Sequence, residues 1–106
     1  MKHARLADMT DGWFIGDFQP SCLRTTACEV ACKHYEAGAA EPRHVHRVAT
    51  ELTLIASGRV VMNGTTFEAG DIVMLDPGEA ADFRTLEPTT TVVVKLPSVR
   101  RDKYPA

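Results

Sequence analysis

Two histidines two residues apart, His44 and His46, followed five residues on by Glu51, are the side chains best suited to chemistry in this sequence. On a β-strand, residues two apart project from one face, so both imidazoles can converge while Val45 between them turns away. Glu51 lies at an odd offset from His46, and a continuous strand would send it to the opposite face. A turn or bulge within residues 47–50 must reset the alternation before the carboxylate can join the pair. Two imidazoles and one carboxylate around an octahedral ion would leave three positions open, the donor set of non-haem iron oxygenases. The expected cofactor is a divalent metal ion, Fe, Mn, Ni or Zn, and the expected partner is a small-molecule ligand.

The elements that must position these groups read as short strands separated by turn residues, with no amphipathic helix and no internal repeat. Residues 25–35 alternate: Cys28, Val30, Cys32 and His34 share one face, and Glu29, Lys33 and Tyr35 share the other. The first set is the more apolar and is expected to point inward. Gly38 and Pro42 fall in an expected loop. Further strands are expected at 45–48, 51–57, 59–62, 65–68, 71–75, 81–86 and 90–96. Asn63-Gly64 is a strong hairpin signal, and residues 90–96 have the β-branched density of a buried strand. Thr53, Ile55 and Phe83 should line the interior, and Lys95 should face solvent or make a salt bridge at the rim. Trp13 and Phe14 read as a hydrophobic strand packed on the barrel or on a second subunit. Residues 100–103 read as a solvated tail. Many short strands at even spacing define an all-β sandwich or barrel, and 106 residues suit a single domain over 1–106. Leu52, Leu54, Ile72 and Met74 give two strands apolar residues on both faces, which predicts a homodimer.

Composition excludes several classes. Hydrophobic residues are 44% and charged residues 25%, and a net charge of −2 is spread without a basic stripe, so no nucleic-acid partner is expected. No apolar run is long enough to span a bilayer, so no membrane partner is expected. The first residues lack the apolar core of a signal peptide, which predicts a cytoplasmic protein. Cys28 and Cys32, four apart on a strand, would be roughly 13 Å apart and cannot bridge. All three cysteines are expected to be reduced, buried thiols. No nucleophile elbow, P-loop, dinucleotide fingerprint or paired-cysteine zinc pattern is present.

Gly38, His44, His46, Glu51 and Gly58, at their spacing, resemble the first motif of the cupin superfamily, and residues 70–78 resemble the start of the second. The resemblance runs over roughly residues 29–96. It implies a double-stranded β-barrel (a jelly roll) of six or more strands, often dimeric, with its ligand in the barrel mouth. The second-motif histidine, the usual fourth metal ligand, falls on Ala81. Asp82 beside it belongs to the opposite face, and Asp76 replaces the more usual proline. Two outcomes follow. Either His44, His46 and Glu51 hold a metal with an extra open position, as in an oxygenase or isomerase, or the site takes a sugar or small organic acid directly. A third reading is a metal-free sugar epimerase or isomerase, with a histidine as general base tuned by Glu51. His34 is a candidate fourth ligand or orienting partner.

Overall fold

A computed structural model describes all 106 residues as ten short strands after a 3-10 turn at Leu6–Asp8. In chain order they are β1 (Trp13–Ile15), β2 (Glu29–Tyr35), β3 (Ala40–Val45), β4 (Thr50–Ser57), β5 (Arg59–Met62), β6 (Thr65–Glu68), β7 (Ile72–Leu75), β8 (Ala80–Thr85), β9 (Thr89–Leu96) and β10 (Tyr104–Pro105). They form two antiparallel five-stranded sheets, ordered β1-β2-β9-β4-β7 and β10-β3-β8-β5-β6. Ile55 from one sheet and Val60, Met62, Ala81 and Phe83 from the other make one buried cluster, so the sheets face each other. The all-β jelly-roll expectation is met.

Local chemistry explains several joints. Met62 pairs with Thr65, and Asn63 and Gly64 between them both have positive φ, 49° and 78°. That is the mirror-image two-residue turn whose twist suits a hairpin. Gly58 has φ 95°, and a Cβ there would lie 2.3 Å from Thr89 Oγ1. Only glycine lets β4 turn into β5 against β9.

Four expectations are overturned. The first concerns which face of β2 and β9 is inside. Ala31 is fully buried and Tyr35 packs on Phe83, with ring centroids 5.0 Å apart, so Glu29, Ala31, Lys33 and Tyr35 face the interior. Val30, Cys32 and exposed His34 face out. Lys95 also points inward, its side chain only 13% exposed. Second, Pro42 lies inside β3, which begins at Ala40 and ends at Val45, so residues 46–48, expected as strand, belong to the loop leading to β4. Third, residues 100–103 are not a free tail, because Asp102 is 5% exposed. Fourth, no cysteine is fully buried, although all three are free: Cys22 is exposed, and Cys28 and Cys32 are half-buried.

The inverted sheet has a physical reason. Across β2, β9, β4 and β7, pairing aligns two outward rows, Cys32-Val92-Leu54-Ile72 and Val30-Val94-Leu52-Met74. The apolar side of these strands is thus a continuous outer surface, with Ile72 65% and Met74 59% exposed. The inner side carries the polar groups of the barrel mouth. No helix is long and apolar enough to cross a membrane.

Candidate functional site

The site forms where β3 meets the loop leading to β4. Along β3, Glu41 pairs with Phe83 and His44 with Ala81, three residues of β3 spanning two of β8. This bulge brings both Glu41 and His44 to the inner face, and Pro42, which has no N–H for the ladder, lies within it. His44 Nδ1 is 2.9 Å from the Pro42 carbonyl. Donating a proton there leaves its Nε2 lone pair free.

His46 follows immediately after β3 and is 6% exposed. Its ring meets that of His44 edge-on, with centroids 5.1 Å apart, although His46 lies one residue beyond the strand that was to carry both. His46 Nδ1 bonds to the Asp102 carbonyl, so its Nε2 is also freed. That Nε2 is buried without a hydrogen-bond partner and stands 3.8 Å from Glu51 Oε1, too long for a hydrogen bond. A backbone carbonyl on one imidazole nitrogen is the usual way a metal-ligating histidine is oriented.

The reset that carries Glu51 to the histidines is made by Asp102. Its carboxylate accepts the backbone N–H groups of Arg47 at 2.8 Å, Val48 at 3.1 Å and Ala49 at 2.9 Å. Three consecutive amides wrapped on one carboxylate hold the chain in a tight turn. The Gly78 amide bonds the His46 carbonyl from the other side, at 2.8 Å. β10 delivers Asp102 by pairing Tyr104 with Val45 and Pro105 with His44, and the Arg47 guanidinium stacks 3.8 Å over the Tyr104 ring.

Charges follow this geometry. The Glu51 carboxylate is the largest influence on His46 and pulls its pKa up, against burial, which lowers it. Burial would raise Glu51, but His46 and then Lys95 overcome it, and its pKa is lowered. Asp102 is likewise lowered, because three amide bonds outweigh the cost of its burial. Tyr35 is raised far above its ordinary value, first by burial and then by Glu41, whose Oε1 accepts its hydroxyl at 2.8 Å.

A cavity of about 290 Å3 opens over His44, His46 and Glu51 and is walled by Trp13, Glu29, Lys33, Glu41 and Lys95. Beneath it a recess of about 40 Å3 reaches Tyr35, Thr53, Ala81 and Phe83. Thr53, Ile55 and Phe83 are interior, as expected. Ala81 is directly opposite His44 and 4% exposed, so the position of the missing fourth ligand does face the site. Asp82 is outside, where Oδ1 accepts the Asn63 amide at 2.7 Å. His34 cannot help: it is on the outer face, bonded to Thr90 Oγ1 at 2.9 Å. No group of three or more His, Cys, Asp or Glu side chains is gathered to hold a metal ion. His46 and Glu51 face each other, and His44 completes the set only in donor chemistry.

Sequence reasoning missed Glu41, Tyr35, Lys33 and Asp102. A proline inside a run of strand residues, marking a bulge, was the available signal for Glu41. Nothing local marked Asp102.

Two antiparallel sheets closed around a polar mouth are the architecture of the cupin superfamily, and solved structures place this chain in that fold. An uncharacterized conserved protein with a double-stranded β-helix domain from Klebsiella pneumoniae is 28% identical, with a TM-score of 0.66, over 70% of this chain and 66% of that one. The DMSP lyase DddQ from Ruegeria pomeroyi matches 89% of this chain at 20% identity and a TM-score of 0.73, and this chain spans 49% of its length. An RmlC-like cupin from Shewanella frigidimarina matches at 18% identity and a TM-score of 0.66, over 74% of this chain and 72% of that one. No protein-family model matches the chain, and no curated protein does.

Proposed function

We propose that this cupin binds a divalent metal ion through His44, His46 and Glu51 and acts on a small organic molecule in the barrel mouth. The observation that carries the reading is the pair of imidazoles whose Nδ1 atoms are both committed to backbone carbonyls. Their Nε2 atoms are left for a ligand, one of them buried, unpartnered and 3.8 Å from a carboxylate. Imidazole and carboxylate donors suit first-row divalent ions. When bound, the ion would supply Lewis acidity at its open positions. The chain's own groups orient and dry the site: Asp102 fixes His46 and the turn to Glu51, while Thr53, Phe83 and Val93 exclude water beneath. A lyase among the structural neighbours supports small-molecule chemistry on this scaffold.

Calorimetric titration with Mn(II), Ni(II) and anaerobic Fe(II) tests the proposal. Saturable binding that disappears in His46→Ala is expected. Absence of binding in the wild type, or binding unchanged in the variant, would remove the metal from the account.

The mutual pKa displacement of His46 and Glu51 favours a second reading, a metal-free acid–base pair acting on a sugar or small acid. Chelator-treated protein discriminates. Thermal stabilisation by organic ligands that survives chelation supports the second reading over the first.

The outward apolar rows of β2, β9, β4 and β7 support the homodimer expected from Leu52, Leu54, Ile72 and Met74, and we propose that face as its interface.

A further inference from the structure

Trp13, on β1, has an ammonium group near each side of its register position. Lys33 Nζ is 5.1 Å and Lys95 Nζ 4.8 Å from the indole centroid. Both lysines face the barrel interior, with side chains 20% and 13% exposed. Buried lysines are uncommon and need a reason. Each has one carboxylate partner, Glu41 at 3.7 Å for Lys33 and Glu29 at 3.3 Å for Lys95. An ammonium carries three donors, so both retain N–H groups for something else. The cavity they border, about 290 Å3, is at the small end of ligand pockets.

Charge balance says what that something is. Within the mouth, the carboxylates of Glu29, Glu41 and Glu51 meet the ammonium groups of Lys33 and Lys95. The chain alone therefore leaves one negative charge in excess. A dication at His44, His46 and Glu51 converts this to one positive charge in excess; Lys103 at the rim is exposed, so its charge is met by solvent and stands outside this count. Uncompensated charge in a site mostly shielded from water is costly. A neutral ligand leaves that cost in place, and a cationic one increases it. A monoanion removes it.

Resting on the metal reading above, we infer that the substrate of this site is a small organic acid whose carboxylate is received by Lys33 and Lys95 beside Trp13. Its remaining atoms extend across the cavity toward His44, His46 and Glu51. Lys95 is the register partner of Glu51 across β4 and β9 and shares its inner face, so a dication there is repelled by Lys95 until an anion comes between them. Metal and acid must then strengthen each other's binding by the same factor, as linkage requires.

Trp13 is the only tryptophan, so its fluorescence reports occupancy of the mouth directly. Propionate and its neutral counterpart propionamide are titrated into Mn(II)-loaded protein, with calorimetry in parallel. Propionate should bind on the order of tenfold tighter than propionamide, the value of a charge-assisted contact. Mn(II) affinity should rise with propionate present, by the factor that Mn(II) raises propionate affinity. Lys95→Met should lose the preference for the acid and Lys95→Arg should keep most of it. The double variant Glu29→Gln/Lys95→Met should behave as Lys95→Met does, without stranding a carboxylate. Equal binding of acid and amide while Mn(II) binds normally overturns this inference and leaves the metal reading intact. Acid binding unchanged in both Lys95→Met and the double variant overturns it too. If Mn(II) does not bind, the metal reading falls and this inference falls with it, because the positive excess that calls for an anion goes with the ion.

Discussion

The two faces of the β1-β2-β9-β4-β7 sheet are built on opposite plans. The outer face presents Val30, Val92, Val94, Leu52, Leu54, Ile72 and Met74 in aligned rows. The inner face, along the same strands, reads Glu29-Lys95-Glu51 in one row, with Lys33, Thr91 and Thr53 nearby. In a typical half-solvated sheet the apolar face covers the core and the polar face meets water. Here the polar face turns toward the other sheet, and the dry core contracts to a cluster around Ile55 and Phe83 at the far end of the barrel. The difference is what the two proposals above build on: inner charges for a ligand and outer hydrophobes for a partner surface. Stability rests chiefly on the small closed end.

That contrast can be broken or sharpened by substitution. The largest effect on folding should come from the closed end: Ile55→Ala, at a fully buried position, is expected to cost about 3 kcal/mol by lost burial and cavity formation. Urea unfolding of the variant checks it, and a cost near zero would deny that the cluster is the core.

Asp102→Ala should come next, near 2 kcal/mol, because it strands the buried Ala49 amide and loosens the turn between His46 and Glu51. Its carboxyl is held below the ordinary aspartate range, so this contribution is complete above the unfolded value of 3.8 and is lost as pH falls through the lower folded one. Asp102→Asn should therefore flatten the acid limb of the stability profile, measured by thermal melts from neutral pH downward.

The double variant Glu29→Gln/Lys95→Met should change stability by no more than about 1 kcal/mol, in either direction, since a buried ion pair repays little of its desolvation. A large loss would mean that the inner charges hold the fold together, contrary to the contrast drawn above.

The smallest effect on the protomer is expected at the outer face. Ile72→Lys, at an exposed position, should alter protomer stability by about 0.5 kcal/mol or less while abolishing self-association. Sedimentation velocity reads the second effect, and a wild type that sediments as a monomer would leave the outer rows without their proposed cover.

Much of this was legible from residue order. Asn63-Gly64 specified its hairpin because the mirror-image turn demands positive φ at both positions. Gly58 was legible only as the last position of the first motif; that a Cβ there would strike Thr89 came from the structure. The His44, His46 and Glu51 spacing, with Gly38 and Gly58, pointed to the fold, and the second-motif resemblance over residues 70–78 pointed to Ala81 as a position facing the site. What failed was the assumption that the apolar side of a strand faces inward. In β2 and β9 it produced the wrong orientation for Lys33, Tyr35, His34 and Lys95, because alternation gives the period of a strand and not the direction of its interior. Glu41 is hidden by a bulge, because Pro42 in the sequence signals a loop as readily as a break in a ladder.

By itself the sequence determined most of the strands, the Asn63-Gly64 hairpin and the spacing of three donor residues, since propensity, turn geometry and a two-residue period act over a few neighbours. Only the tertiary structure decided which side of the larger sheet is the interior, and that Asp102, 56 residues from His46, seats its imidazole and folds the turn to Glu51. Those outcomes depend on contacts between segments far apart in the chain, where the balance among competing surfaces is settled by packing and not by any local pattern.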